Sequence, residues 1–161
     1  MDWVEPAQLE TPGRATLREP DHKLRELRRH IAELAAAACE QLTVGVWKPA
    51  WDLRVVALVG QLDSSSTALV HAAIESLAAP HSFCLIIDLS QLTFIDPAGL
   101  DALAQVARRI DERKGVMMLA APTQSVAHLL RWAELDRMMV IATSLEVAVR
   151  QSGTSLVSPA R

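Results

Sequence analysis

Tyrosine is absent from this sequence, and the remaining aromatic residues make up only 4% of its 161 residues. A core built from large ring systems is therefore excluded. Half of the residues are hydrophobic, so aliphatic side chains and alanine must form the interior. The length suffices for one ordinary domain with its own core and with terminal extensions.

Cysteine is also scarce, since the chain has only Cys39 and Cys84. Their spacing fits neither a metal site nor a redox motif, and two cysteines cannot form a disulfide framework. A reduced, cytoplasmic protein is therefore predicted. Inert buried thiols are favoured over a Cys39–Cys84 redox switch.

Long runs of one charge or of apolar residues are missing. The 16 basic and 19 acidic residues give a net charge of -3, which argues against electrostatic binding of nucleic acid. No apolar run approaches the roughly 20 residues that cross a bilayer. The N-terminal stretch MDWVEPAQLE is acidic and does not resemble a secretion signal, so membrane insertion is not expected.

Motifs of enzymes are missing as well. The sequence has no Walker loop, no Gly-x-Gly-x-x-Gly and no Gly-x-Ser-x-Gly. Asp88, Asp96 and Asp101 do not form the pattern of a catalytic carboxylate pair. No catalytic residue, metal or cofactor is therefore predicted. The five histidines are better explained as surface or half-buried residues than as metal ligands (His22, His30, His71, His81, His128).

The N-terminal part is predicted as a flexible lead over residues 1–20, followed by an amphipathic helix over residues 21–40 with Asp21 as its cap. Its apolar residues recur at spacings of three and four. Such a stripe must be buried, either against the rest of the domain or in a homodimer, and the sequence leaves both open. The stripe consists of Leu24, Leu27, Ile31, Leu34 and Ala38.

The remainder alternates between strand and helix patterns. A hairpin is predicted from residues 42–47 and 53–60, with Trp47 and Trp51 packed at its corner rather than marking a partner surface. Strands follow at residues 83–89, 116–120 and 138–142. Helices are centred on residues 70–77, 100–110, 126–133 and 144–150, and residues 151–161 form a loose tail. The prediction is an α/β domain over residues 41–150, with a mixed, mostly parallel sheet after the hairpin, about four helices and an extra N-terminal helix.

Two loops, residues 60–67 and 96–99, connect a strand to the helix that follows it. In a parallel sheet such loops gather at the carboxyl edge, where ligands and partners dock. Asp96 is suited to cap the helix, and Pro97 occupies the first helical position without loss of a hydrogen bond. Gly99 costs about 1 kcal/mol against alanine, which indicates that a close approach is needed there, either by the sheet or by a partner.

Two segments, LIIDLSQLTFIDPAGLDAL and ALVGQLDSSST, resemble the signatures of STAS domains, the fold of bacterial anti-sigma factor antagonists. The resemblance extends from about residue 42 to residue 150. It implies that the chain binds an anti-sigma factor, often a serine kinase, and so releases a sigma factor by partner switching. The partner-binding positions carried over are Asp63, Ser64, Ser65, Asp96, Pro97, Ala98, Gly99 and Leu100.

The chain departs from the family at the position where the kinase places its phosphate. That position is Pro97, which has no hydroxyl, and neither has Ala98; Gln61 replaces the usual glutamate. The resemblance thus implies an antagonist that is constitutive or acts as a scaffold. Ser64, Ser65, Ser66 and Thr67 are weak substitute phosphosites, because helix capping explains them better.

The resemblance leaves a second class of function open, that of a small cytoplasmic STAS subunit in an envelope lipid-transport ATPase complex. Binding of a nucleotide or small ligand at the helix start is a third interpretation, disfavoured because Asp96 already places negative charge there.

Overall fold

The structure is a computed structural model that describes residues 19–37, 41–77 and 82–153. Within these ranges five α-helices and six strands follow one another, with a short 3-10 helix before the last strand. They are α1 (Glu19–Ala37), β1 (Thr43–Ala50), β2 (Leu53–Leu62), α2 (Thr67–Glu75), β3 (Cys84–Asp88), β4 (Leu92–Ile95), α3 (Pro97–Glu112), β5 (Val116–Ala120), α4 (Gln124–Trp132), the 3-10 helix (Leu135–Arg137), β6 (Val140–Ala142) and α5 (Leu145–Gln151). The predicted α/β alternation is confirmed.

The strands form one mixed sheet in the order β1-β2-β3-β5-β6. β1 and β2 are antiparallel, and every later pairing is parallel. The hairpin turns at Trp51 and Asp52, since β1 continues through Lys48 to Ala50 with an irregularity in its register. The sheet is therefore mostly parallel after an N-terminal hairpin, as predicted.

One strand, β4, was not predicted. β2 pairs with β3 along residues 53–57 and, closer to its carboxyl end, with β4 along residues 60–62. β4 therefore follows β3 as the parallel partner of β2. The register shifts at Gly60, whose φ of 109° is accessible mainly to glycine. The Thr93 hydroxyl donates to the Gly60 carbonyl at 2.9 Å. This extra pairing fixes the approach of the chain to α3.

The two faces of the sheet bury separate apolar clusters. One contains Leu58 and Ile87 and is covered by α2, α3 and α4; the other contains Val55 and Ile86 and is covered by α1 and α5. Alternate residues of β2 point to opposite clusters, as the two-residue period of a strand requires. Because both faces are covered, β2 and β3 are continuous apolar runs in the sequence.

The helix α1 lies on its own domain. Leu27 and Ile31 are 4% exposed and pack with Val55 and α5. The apolar stripe is thus used for docking, the first of the two alternatives. The prediction that Asp21 caps this helix is wrong, because the helix already begins at Glu19; Ala38, Cys39 and Glu40 lie outside the described residues, as do the predicted lead and tail apart from residues 19–20 and 151–153.

Arg28 on α1 forms an ion pair with Glu146 on α5, and both side chains are about half exposed. We expect Arg28→Ala to lower the free energy of unfolding by less than about 1 kcal/mol, because water screens the pair. Urea unfolding of Arg28→Ala, Glu146→Ala and the double variant gives the coupling energy. A coupling well above that value would show that the pair, and not the apolar stripe, holds α1 in place.

Two helix ends differ in how well the sequence predicts them. Ser144 caps α5 by accepting from the Val147 N–H at 3.1 Å, the role that a serine directly before a helix favours. At the end of α3, however, the left-handed residue is Lys114 (φ 65°), not Gly115. Gly115 is required for a different reason, since a Cβ there would lie 2.6 Å from the Phe83 carbonyl oxygen.

The two tryptophans at the hairpin corner differ in their packing. Trp47 stacks on His30 of α1, with ring centroids 6.2 Å apart. The prediction of a packed residue is wrong for Trp51, which is 54% exposed because it lies in the turn itself.

Cys84 is buried beside Met118, and burial raises the pKa of its thiol to about 11, with a smaller contribution from Asp52. Such a thiol is almost fully protonated at neutral pH and poorly reactive. The proposed Cys39 switch lies outside the described residues.

Candidate functional site

The two loops singled out in the sequence meet at the carboxyl edge of β2 and β4. Gln61 and Leu62 pair with Phe94 and Ile95, and the Asp96 N–H donates to the Leu62 carbonyl at 3.2 Å. Residues 61–67 and 94–98 therefore form one continuous surface, which we call the edge surface. The sequence predicted that the loops would gather, and β4 is what joins them.

The start of α3 is built as the sequence indicated. Asp96 is the N-cap, in an extended conformation, and its carboxylate accepts from the Gly99 N–H at 2.8 Å. Pro97 is the first helical residue and is exposed, while Ala98 is half-buried. A helix start capped by a carboxylate has one of its free N–H groups already occupied, which disfavours binding of a phosphate ligand.

Gly99 is explained by the sheet. A Cβ at this position would lie 2.8 Å from the Leu62 carbonyl oxygen and 2.9 Å from both Leu62 Cγ and Ile95 Cγ1. Of the two explanations for this glycine, close approach to the sheet is the one that the structure favours. Leu100 is 5% exposed and belongs to the core, so the side chains open to a partner at this helix start are those of Pro97 and, in part, Asp96 and Ala98.

The loop after β2 is held together by its own side chains. One carboxylate oxygen of Asp63 accepts from the Ser65 N–H at 3.0 Å and from the Ser65 hydroxyl at 2.7 Å. The Ser66 hydroxyl accepts from the Asp63 N–H at 2.9 Å and reaches the Gln61 carbonyl at 3.2 Å. The hydrogen bond from the Ser65 hydroxyl is the main reason that the pKa of Asp63 is lowered, although partial desolvation opposes it.

Ser66 does not cap α2, contrary to prediction. It occupies the N-cap position, but its hydroxyl makes no capping hydrogen bond because it faces back into the loop. Its side chain is also buried, at 6% exposure. Ser64 is exposed, and Thr67 is partly buried as the first residue of α2.

Phe94 was not singled out in the sequence, although it begins one of the two segments of the edge surface, where it pairs with Gln61, and is 47% exposed. β4 buries Leu92 and Ile95 and exposes Thr93 and Phe94, which is not the alternation of a regular strand. The pattern alone thus offered no signal. A large exposed ring beside small side chains is typical of a protein-contact surface.

No salt bridge in the described ranges involves the edge surface. Asp101 on α3 accepts instead from Gln105 at 2.6 Å, and Asp63 and Asp96 accept from neighbouring N–H and hydroxyl groups. The three aspartates are thus satisfied within the chain. In residues 19–37, 41–77 and 82–153, no group of histidine, cysteine and acidic residues is arranged to hold a metal ion.

Apolar exposure is not confined to the edge surface. Val116, Trp132, Met138 and Val140 are exposed around the starts of β5 and β6 and the end of α4. Val116, Met138 and Val140 line a groove of about 440 Å³ at this opposite, amino edge of the sheet. No described helix combines the length and apolarity that a bilayer span requires.

The sequence matches the model of the STAS domain over residues 50–148, and the chain belongs to the STAS domain family. An anti-sigma factor antagonist from Mycobacterium paratuberculosis has a similar structure, with a TM-score of 0.64 at 23% identity over 73% of this chain and 98% of that one. The antagonist SpoIIAA of Bacillus in its unphosphorylated form has a TM-score of 0.57 at 22% identity, over 70% and 99%.

The fold also occurs in a transporter. The murine Solute Carrier 26 family member A9 anion transporter matches with a TM-score of 0.58 at 16% identity, over 65% of this chain and 18% of that one. At these identities the likeness establishes the fold, and the function must be argued from the site.

Proposed function

We propose that this chain is a non-enzymatic regulatory binding protein of the bacterial cytoplasm that binds an anti-sigma factor, of the serine-kinase kind, and so releases a sigma factor for transcription. The edge surface is the proposed contact. The observation that carries the proposal is the start of α3, where the Asp96 cap is intact and the exposed first residue is Pro97. The likeness to two anti-sigma factor antagonists supports it.

The geometry of this helix start favours contact between proteins. Small or flat side chains at Ser64, Ser65, Pro97 and Ala98 allow another backbone to approach, and Phe94 supplies apolar area next to them. Such an aromatic anchor beside a flat, accessible surface is characteristic of interface cores. Pro97 cannot accept a phosphate, so the protein is proposed to stay in its binding state when the kinase is active.

We expect Pro97→Ser to restore a phosphate acceptor without disturbing the helix, because serine is tolerated in the first turn. Wild type, Pro97→Ser and Ala98→Ser are each immobilised and exposed to cytosol of the source organism with ATP, and captured proteins and phosphate are identified by mass spectrometry. Wild type should capture an anti-sigma kinase. Among the three proteins, only Pro97→Ser should carry phosphate at position 97. This phosphate should reduce the capture of the kinase by about tenfold or more, because phosphorylation adds about two negative charges to the contact.

Ala98→Ser is the matched control, because it places a hydroxyl one residue further along the same turn. Recovery of an ATPase–permease complex by wild type would instead support the alternative, a subunit of a lipid-transport complex. Capture of neither class would contradict the proposal.

A homodimer through residues 21–40 is part of the proposal only in a restricted form. Leu27 and Ile31 are already buried within the domain, so a dimer would have to use the outer face of α1 or exchange the helix between copies. Light scattering of a variant that lacks residues 1–40 tests this. If the full chain is a dimer, a truncated protein that stays dimeric would exclude the helix as the seam.

A further inference from the structure

We propose that a second copy of this chain docks on the groove at the amino edge of the sheet, so that the protein forms a two-fold symmetric dimer with both edge surfaces exposed. We call this groove the amino groove and define it by Arg108, Asp111, Val116, Met138 and Val140, which line it. The inference is independent of the proposed function, because it concerns the opposite edge of the sheet and requires no anti-sigma factor.

The amino groove exists because β6 is shorter than β5. β6 pairs only with the residues of β5 from Met118 to Ala120. Val116 and Met117, the first residues of β5, therefore have no neighbouring strand on that side within the described part of the chain. The space left there is about 440 Å³ and is bounded by the last turns of α3. It is large enough to receive side chains of another molecule.

The walls of the groove are apolar and partly open to solvent. Val116, Met138 and Val140 are each about half exposed, while Met117 and Met139 are buried beneath them. Exposed apolar side chains that adjoin one another and have charged neighbours mark interaction sites. Methionine adapts its flexible side chain to the surface that it meets. The groove thus has the composition of a protein contact.

The charges at the groove favour a second copy as its occupant. Arg108 and Asp111 are exposed and lie three residues apart on α3, which places them side by side on one face of the helix. Neither forms a salt bridge with another described residue. In a two-fold interface each contact occurs twice, so Arg108 of one copy meets Asp111 of the other and the reverse. A partner whose charge has one sign would gain from one of these side chains and lose at the other.

The other exposed surface is not suited to self-association. The edge surface contains Asp63 and Asp96 but no lysine or arginine in residues 61–67 and 94–98. Two copies that met there would bring like charges together, which costs affinity. Of the two surfaces, only the amino groove is electrostatically complementary to itself.

A dimer joined at the amino groove leaves the edge surfaces free. The groove lies where β5 and β6 begin, whereas the edge surface lies where β2 and β4 end. The dimer therefore presents two edge surfaces at once. A partner with two binding sites would be held at both, which raises its overall affinity without any new contact.

The first test is sedimentation equilibrium of the full chain over a range of concentrations, with wild type, Val140→Lys and Leu69→Lys. Wild type and Leu69→Lys should be dimers, because Leu69 is also about half exposed but lies on α2, outside the groove. Val140→Lys should raise the dimer dissociation constant by about tenfold or more, because an ammonium group would be desolvated among apolar side chains.

Two outcomes of this test would overturn the proposal. Wild type that is monomeric at every concentration would mean that no second copy docks, whether residues 154–161 or a different protein covers the groove. A dimer that Val140→Lys leaves unchanged would mean that the copies meet elsewhere, and a seam at α1 would be the next candidate.

The second test uses the reciprocity of the charged contacts. Arg108→Asp and Asp111→Arg each place like charges opposite one another twice, so each variant alone should raise the dissociation constant by about tenfold or more. A mixture of the two variants regains both oppositely charged contacts. It should therefore form a heterodimer about as tightly as wild type dimerises, which native mass spectrometry identifies by its mass.

Arg113→Asp is the matched control, because Arg113 is exposed at the end of the same helix but does not line the groove. This variant should dimerise about as tightly as wild type. Circular dichroism establishes that each variant is folded. Folded variants that fail to associate when mixed, or single reversals that dimerise as tightly as wild type, would refute the pairing of Arg108 with Asp111 across a two-fold axis.

Discussion

Gly99→Ala is expected to lower the free energy of unfolding by about 3 kcal/mol, the upper end of the usual cost of overpacking. In an open helix the same change would add up to about 1 kcal/mol of stability, so the sign of the effect tests the explanation. The added Cβ would meet the Leu62 carbonyl oxygen at 2.8 Å. That oxygen belongs to the backbone of β2 and accepts from the Asp96 N–H, so it cannot move without loss of the hydrogen bond.

Urea unfolding measures this change, with Ala98→Ser as the control that adds one heavy atom at the neighbouring, half-buried position. The control should remain within about 0.5 kcal/mol of wild type. A Gly99→Ala protein as stable as wild type would mean that α3 can shift away from the sheet. The glycine would then be explained by a partner rather than by the fold.

The start of α3 illustrates what the sequence could predict. The cap of Asp96 and the position of Pro97 depend on local backbone chemistry, and both were predicted correctly. The reason for Gly99 lies in a contact with Leu62, 37 residues earlier in the chain. The spacing of residues within one helix carries no information about a contact so distant in the chain. The sequence therefore left two explanations for Gly99 open, close approach by the sheet or by a partner.

The strand β4 shows a second limit. It has only four residues, two of them exposed, and it pairs with β2 where the register is irregular. Short strands without regular alternation are not distinguishable from loops by pattern. The exposure of Phe94 depends on this pairing. Phe94 was missed for the same reason, so the sequence predicted the loops of the edge surface but not its exposed aromatic residue.

The hydroxyl groups of residues 64–67 show how a correct motif can receive a wrong local role. Serine and threonine before a helix favour capping, and Ser66 does stand at the N-cap. Its hydroxyl binds backward, to the carbonyls of Gln61 and Asp63, so it makes no capping hydrogen bond to α2. The competing loop contacts could be recognised only in three dimensions.

Asp88, at the end of β3, is expected to respond oppositely to two substitutions. It is 3% exposed, and one carboxylate oxygen accepts from the Ser90 N–H at 2.9 Å and the Ser90 hydroxyl at 2.6 Å. Asp88→Ala removes the acceptor and should cost about 2 kcal/mol, because donors in a partly buried turn lose their partner. Asp88→Asn keeps an oxygen in place and removes the buried charge, so at pH 7 it should be as stable as wild type or more stable.

The difference between Asp88→Asn and wild type should depend on pH. Burial raises the pKa of Asp88, and the Ser90 hydrogen bonds and the charge of Arg28 oppose this only in part. A raised folded pKa means that the native state binds the proton more tightly than the unfolded chain. The stability contributed by Asp88 is therefore fully present below its unfolded pKa, about 3.9, and is lost as the pH rises through the folded pKa.

Urea unfolding of both proteins between about pH 3.5 and pH 8 measures this difference, and Asn has no titration of its own to obscure it. The stability of Asp88→Asn relative to wild type should increase with pH across the window and then stay constant. The other charged groups nearby, Arg28 on α1 and its partner Glu146 on α5, are common to both proteins and cancel in the comparison. A difference that is independent of pH would mean that Asp88 titrates alike in the folded and unfolded chain. The carboxylate would then serve only as an acceptor for Ser90, with no cost from its burial beneath α1.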